Sequence, residues 1–195
     1  MRSPCRTRGS RHPAMNLDLA LSSIARRRPP RTAERMLAAV ASPWAAVVEG
    51  LVLALAQRSA GRRAAPVALA APAALAVGNV LKRIVSRPRP GLSRFERNGR
   101  RSFPSTHVAG PIALLSCSFC LGSRTRTRRA ALGLGTAAAL AVAHERIAAG
   151  KHWPSDVIAG AALGALMGAA LGLACAPRRE TAAGAVGHAL RGAAA

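Results

Sequence analysis

Apolar and polar positions along this chain fall into long blocks. Apolar stretches cover Met36–Ala56, Ala64–Leu81, Ser105–Gly122, Ala130–Ala143 and Pro154–Ala176, and arginines cluster between them. A helix needs about 20 mainly apolar residues to cross a bilayer core. The pattern therefore predicts an all-α fold, a polytopic membrane bundle of about five transmembrane helices. Ser105–Gly122 is on the short side. Pro43 lies in the first block, and Pro66 and Pro72 in the second. The first block also holds one acid, Glu49. A charge at mid-membrane costs ~2.5–3.5 kcal/mol on insertion scales, so Glu49 is expected to face the protein interior or to be protonated. The last block carries Gly160, Gly164, Gly168 and Gly172. Spacing of four makes a smooth ridge that lets another backbone approach closely. The neighbour can be a helix of this chain or of a second copy, so a homo-oligomer through this face is one expectation.

Outside the blocks the chain is basic. Residues 1–35 carry nine arginines around the short run Met15–Ala25 and read as a basic tail, disordered or interfacial. Residues 36–176 form the membrane domain, and 177–195 an Ala/Gly-rich tail. With five spans, the Lys82–Phe103 and His144–Trp153 connections open on the same side of the membrane.

Formal net charge is +22 over 195 residues, which points to acidic partners. A soluble nucleic-acid binder would mix its basic and apolar residues. Here they are segregated, so the expected partners are membrane lipids and a phosphate-bearing substrate, with no nucleic acid. All but two of the 29 basic residues are arginine; the exceptions, Lys82 and Lys151, both lie in the polar connections. Cys5, Cys117, Cys120 and Cys175 form no disulfide framework. The Cys117/Cys120 pair sits inside an apolar block and reads as small helix side chains.

Candidate chemistry gathers on that one side. His152 and Asp156 are four residues apart, and Pro154 between them suits the first turn of a helix. Asp156 is then expected to reach back to the His152 ring, fixing its tautomer and making the other nitrogen the nucleophile. Arg146 offers a forked set of donors for phosphate oxygens. Phe103-Pro104-Ser105-Thr106-His107 precedes an apolar block, so open N–H groups of a helix start add to an anion site. Lys82 and Arg89 bring two more cations, and His107 is placed to hand a proton to a leaving oxygen. The sequence offers no carboxylate cluster for magnesium, so no metal and no cofactor are expected; fixed cations take the role a metal has elsewhere.

These three pieces resemble the motifs of the type 2 phosphatidic acid phosphatase family, which shares its site with vanadium haloperoxidases. The family pattern is K-x6-RP, PSGH and SR-x5-H-x3-D. Lys82, Arg89 and Pro90 match the first; Pro104-Ser105-Thr106-His107 matches the second with Thr for Gly. Arg146, His152 and Asp156 match the third, with Glu145 where Ser is usual. The resemblance implies a phosphohistidine on His152, Asp156 orienting it, and His107 as leaving-group acid and later water base. It also implies phosphate binding by Lys82, Arg89, Ser105, Thr106 and Arg146. The departures predict a narrower site at Thr106 and a Glu145–Arg146 pair that weakens the hold on phosphate.

The resemblance implies a metal-independent membrane phosphatase acting on a phosphatidate-type or polyprenyl-type phosphate or diphosphate. The alternatives are a non-catalytic basic membrane protein binding anionic lipid, and a vanadate-dependent haloperoxidase. The site side carries 19 basic residues against 10 opposite, and 15 against 10 without Lys82, Arg89, Arg146 and Lys151. The positive-inside tendency then favours a cytoplasmic site in the plasma membrane.

Overall fold

The structure, a computed structural model, describes residues 13–59, 64–90, 101–121 and 125–176. The tail ends 1–12 and 177–195, with Cys5, His12 and His188, and the middle of the Lys82–Phe103 connection lie outside the described residues. Seven helices and no strand occur among them: α1 Pro13–Arg27, α2 Thr32–Val40, α3 Pro43–Ser59, α4 Ala65–Val85, α5 Thr106–Leu121, α6 Arg126–Ala148 and α7 Pro154–Ala174.

α4 and α7 are each long and apolar enough to cross a membrane. α2 and α3 pass the same test only as a pair bent by 75°. The single span expected over Met36–Ala56 is therefore broken just before Pro43, which lacks the N–H of a helix interior and stands as the first residue of α3. α5 is apolar but only 16 residues long, and α6 gives up its ends to Arg126, Arg128, Arg129, Glu145 and Arg146. Leu51, Leu55, Leu69, Val80, Phe119, Leu134, Ile158 and Leu166 are exposed, as outward faces must be when the solvent is lipid. The protein is an integral membrane protein.

Small residues build the core. Ala46, Val67, Ala70, Ala71, Ala74, Ala109, Ala113, Leu114 and Cys117 form one buried cluster across α3, α4 and α5. α5 and α7 pack most closely of all. Gly160, Gly164 and Gly168 lie against the backbone carbonyls of Ser105, Ala109 and Ala113, so that a Cβ at any of them would run into the facing chain; Gly172 meets Cys117 and Cys120. The glycine ridge is thus filled by α5 of the same chain. Of the two neighbours expected for Gly160, Gly164, Gly168 and Gly172, the structure has the helix of this chain in contact with them.

Two further expectations change. Of residues 1–35, expected to be disordered or interfacial, 13–27 form α1 and 32–35 start α2, so the disordered alternative does not hold for them. Glu49 is exposed and lines an apolar groove between α3, α5 and α6 together with Gln57, Ser118 and Arg128. It lies in that groove and outside the close α3–α4–α5 contact, whose buried cluster is apolar and built mainly from alanines.

Candidate active site

The turn from α6 to α7 is built around one carbonyl. Arg146 O accepts the N–H of Lys151 at 3.0 Å and of His152 at 3.1 Å. Gly150 takes a φ of 68° there, a left-handed conformation with no steric cost only for glycine. The loop therefore folds back by one turn and returns His152 towards Arg146. α7 then starts at Pro154, with Asp156 Oδ2 accepting from Trp153 N at 2.8 Å as an N-terminal cap. α5 starts beside it, tied by Ser105 N to Asp156 O at 2.9 Å.

This arrangement brings together all eight residues proposed from the sequence. The His107 and His152 rings face each other with centroids 6.3 Å apart, tilted by 59°. Arg146, Lys82 and Arg89 all act electrostatically on the His107 ring, and Asp156, Arg89 and Lys82 on His152. His152, Asp156, Ser105 and Thr106 are buried, and Ser105 Oγ and His107 Nδ1 are buried polar atoms with no hydrogen-bond partner among the described residues. Burial holds the His152 pKa below the ordinary histidine range. The contact with Asp156 opposes that shift, and the charges of Arg89 and Lys82 reinforce it.

The His152–Asp156 relation differs from the expectation. Nδ1 and Oδ2 are 3.7 Å apart, an ion-pair distance and too long for a hydrogen bond. Asp156 spends Oδ2 on the helix cap, while Oδ1 accepts from Arg87 Nη1 at 3.0 Å. Nδ1 faces Asp156, so Nε2 is the nitrogen directed away from it.

The two departures from the motif also resolve. Thr106 Oγ1 accepts from Lys82 Nζ at 2.8 Å, and its methyl lies over Gly78, where a Cβ would come within 3.0 Å of it. The extra atoms are taken up by α4. Glu145 bonds chiefly to Lys151, at 3.0 Å, and its Oε2 stands 3.4 Å from Arg146 Nε. Arg146 also donates through Nη2 to Ala38 O of α2 at 2.8 Å. The expected pairing exists but shares Glu145 with a second cation. His144 pairs with Glu34 of α2 at 3.1 Å.

The sequence reading missed two residues. Arg87 donates to Asp156, to Ser155 Oγ at 2.6 Å and to Asp18 at 2.6 Å, and its guanidinium lies 5.2 Å over the Trp153 ring. Its signal was the doubled Arg-Pro of Arg87-Pro88-Arg89-Pro90. Asp18 also accepts from Ser155 N at 2.9 Å and Ser155 Oγ at 2.6 Å. It is one of only two acids in the first 35 residues.

Comparison with known proteins bears on the family and the fold. The sequence pattern of the PAP2 superfamily matches residues 63–179. Two crystal structures share the fold. One is the first transmembrane PAP2-type phosphatidylglycerolphosphate phosphatase from Bacillus subtilis, with 17% identity over 83% of this chain and 86% of the other, TM-score 0.64. The second is LpxE of Aquifex aeolicus, with 23% identity over 80% of this chain and 94% of the other, TM-score 0.62. Comparison with curated protein sequences finds no match.

Proposed function

From the premise that this chain belongs to the PAP2 superfamily, we propose that it hydrolyses a lipid phosphate or diphosphate through a phosphohistidine on His152. The observation that carries the reading is the pair of facing rings, His107 and His152, among Lys82, Arg89 and Arg146. That spacing suits a phosphoryl group held between an entering and a leaving atom. Lys82, Arg89, Arg146, Ser105 and the N–H groups at the start of α5 neutralise its oxygens.

His152 Nε2 attacks phosphorus as the bond to the leaving oxygen breaks, and His107 gives that oxygen its proton. His107 then takes a proton from water. The resulting hydroxide attacks the phosphohistidine, releasing inorganic phosphate and restoring the neutral ring. Asp156 stabilises the positive charge that His152 carries while phosphorylated. A site carried by a membrane-spanning bundle favours a substrate held in the bilayer, a lipid with a phosphatidate-type or polyprenyl-type tail. The charge count favours a site facing the cytoplasm across the plasma membrane.

Purified protein offered a panel of lipid phosphates and diphosphates should release phosphate from at least one. Release should continue in EDTA and stop with vanadate, since the cations that stabilise the phosphoryl oxygens belong to the chain. No release from any substrate, or release only with added magnesium, would reject this reading.

A further inference from the structure

α1 docks with its polar side inward. The residues it buries are Asp18 and Ser22, one turn apart, while Leu17, Leu19, Leu21 and Ile24 remain exposed. A helix seated by hydrophobic burial would show the reverse pattern. What seats α1 is the bonded set around Asp18: Arg87 Nη2 at 2.6 Å, Ser155 Oγ at 2.6 Å and Ser155 N at 2.9 Å. Hydrogen bonds between charged partners are the strong ones, and a two-armed guanidinium fixes direction as well as distance.

Arg87 therefore carries a carboxylate on each arm, Asp18 on Nη2 and Asp156 on Nη1. Paired with Asp156 alone, Arg87 would cancel its charge. With Asp18 added, two carboxylates share one cation, and the trio keeps one net negative charge. That charge stands beside His152, whose Nδ1 is 3.7 Å from Asp156. Asp18 lies outside the region that matches the superfamily, residues 63–179.

We propose that Asp18 is a positioning residue for catalysis: acting through Arg87, it holds the Asp156 carboxylate in place and draws part of the guanidinium's charge to itself, so that Arg87 does not cancel the negative charge facing His152. On this view α1 belongs to the catalytic machinery. The turnover part rests on the phosphatase reading above; the electrostatic part does not. The other groups facing His152 are His107 from α5, Lys82 on α4, Arg89 beyond its end and Asp156 on α7. An Asp18 substitution leaves all of these in the chain.

The test uses full-length protein in detergent with isotope-labelled histidine rings. The chain has five histidines, and the His152 signal is the one lost in His152→Ala. Asp18→Asn removes one negative charge from the trio, so the His152 midpoint should move to lower pH by roughly half a unit. Asp18→Glu should restore it, and Ser22→Ala, on the same buried stripe, should leave it in place. On whichever lipid phosphate the wild-type enzyme hydrolyses, Asp18→Asn should lower kcat roughly tenfold, the scale for losing a group that orients an active-site ligand, with KM little changed. An unmoved midpoint in Asp18→Asn, or an equal shift in Ser22→Ala, would overturn the proposal. Should Asp18→Asn fail to fold, Arg87→Gln probes the same link with opposite sign: losing the shared cation must raise the midpoint, and no rise overturns the idea. A wild-type enzyme inactive on every lipid phosphate would sink the phosphatase reading and the turnover half, while the titration still decides the rest.

Discussion

Lys82 donates a 2.8 Å hydrogen bond to Thr106, joining a cation at the end of α4 to the first residue of α5. Thr106 stands where the family motif usually has glycine, and Gly78 on α4 makes room for its methyl. The pair holds the ammonium at the start of α5, beside the N–H groups proposed to bind phosphate. Thr106→Val keeps the methyl but removes the acceptor. Lys82 then loses its guide, and kcat/KM on the lipid substrate should fall by about 1–2 kcal/mol, roughly five- to thirtyfold. Thr106→Ser should behave like wild type. A fully active valine variant would show that Lys82 needs no such partner.

The two histidines should separate by substrate. His152→Ala removes the proposed nucleophile and should be inactive on every substrate. His107→Ala should cost roughly 10²–10⁴-fold where the leaving group is an alkoxide that needs its proton. An aryl oxide such as p-nitrophenolate is already a stable anion, so first-turnover formation of phosphoenzyme on the aryl ester should suffer far less. Equal losses on both substrates would mean the roles are misassigned.

Burial lowers the His152 pKa, and the nucleophile must be neutral. A lowered value keeps the ring neutral at lower pH, so the acid limb of kcat/KM should lie below the ~6.5 of an ordinary histidine. The substrate's own ionisation, followed by its phosphorus resonance, has to be divided out first. A corrected limb at or above 6.5 would contradict the burial seen here.

Glycine replacements should sort by what they face. Gly164→Ala drives a Cβ into the Ala109 carbonyl and should lower thermal stability in detergent by about 1–3 kcal/mol. Gly133→Ala on exposed α6 meets nothing within 4 Å and should stabilise by roughly 0.5–1 kcal/mol. Similar melting temperatures for the two variants would argue against the α5–α7 interface.

Sidedness is open to chemical labelling. With the native cysteines replaced, a cysteine at exposed Ser86 should be shielded from an impermeant thiol reagent in intact cells and react after lysis. Reaction in intact cells would place the site on the outer face.

What the sequence determined by itself is the part of this protein that is local. Apolar block length set the all-α class and the long spans α4 and α7, though not the break between α2 and α3. Spacing within single turns placed Arg146, His152 and Asp156 together, because six- and four-residue separations are governed by backbone geometry near one carbonyl and one helix cap. The partners those residues take from elsewhere were not legible. Asp18 and Ser155 are 137 positions apart and Arg87 and Asp156 are 69 apart, and no periodicity relates them. The same holds for the glycine ridge, whose spacing declares a close contact but leaves its partner unnamed until α5 is seen to fill it. It holds too for Asp156, whose oxygens go to a cap and a guanidinium before they reach His152. Such choices depend on which helices pack side by side, and only the tertiary structure decides that.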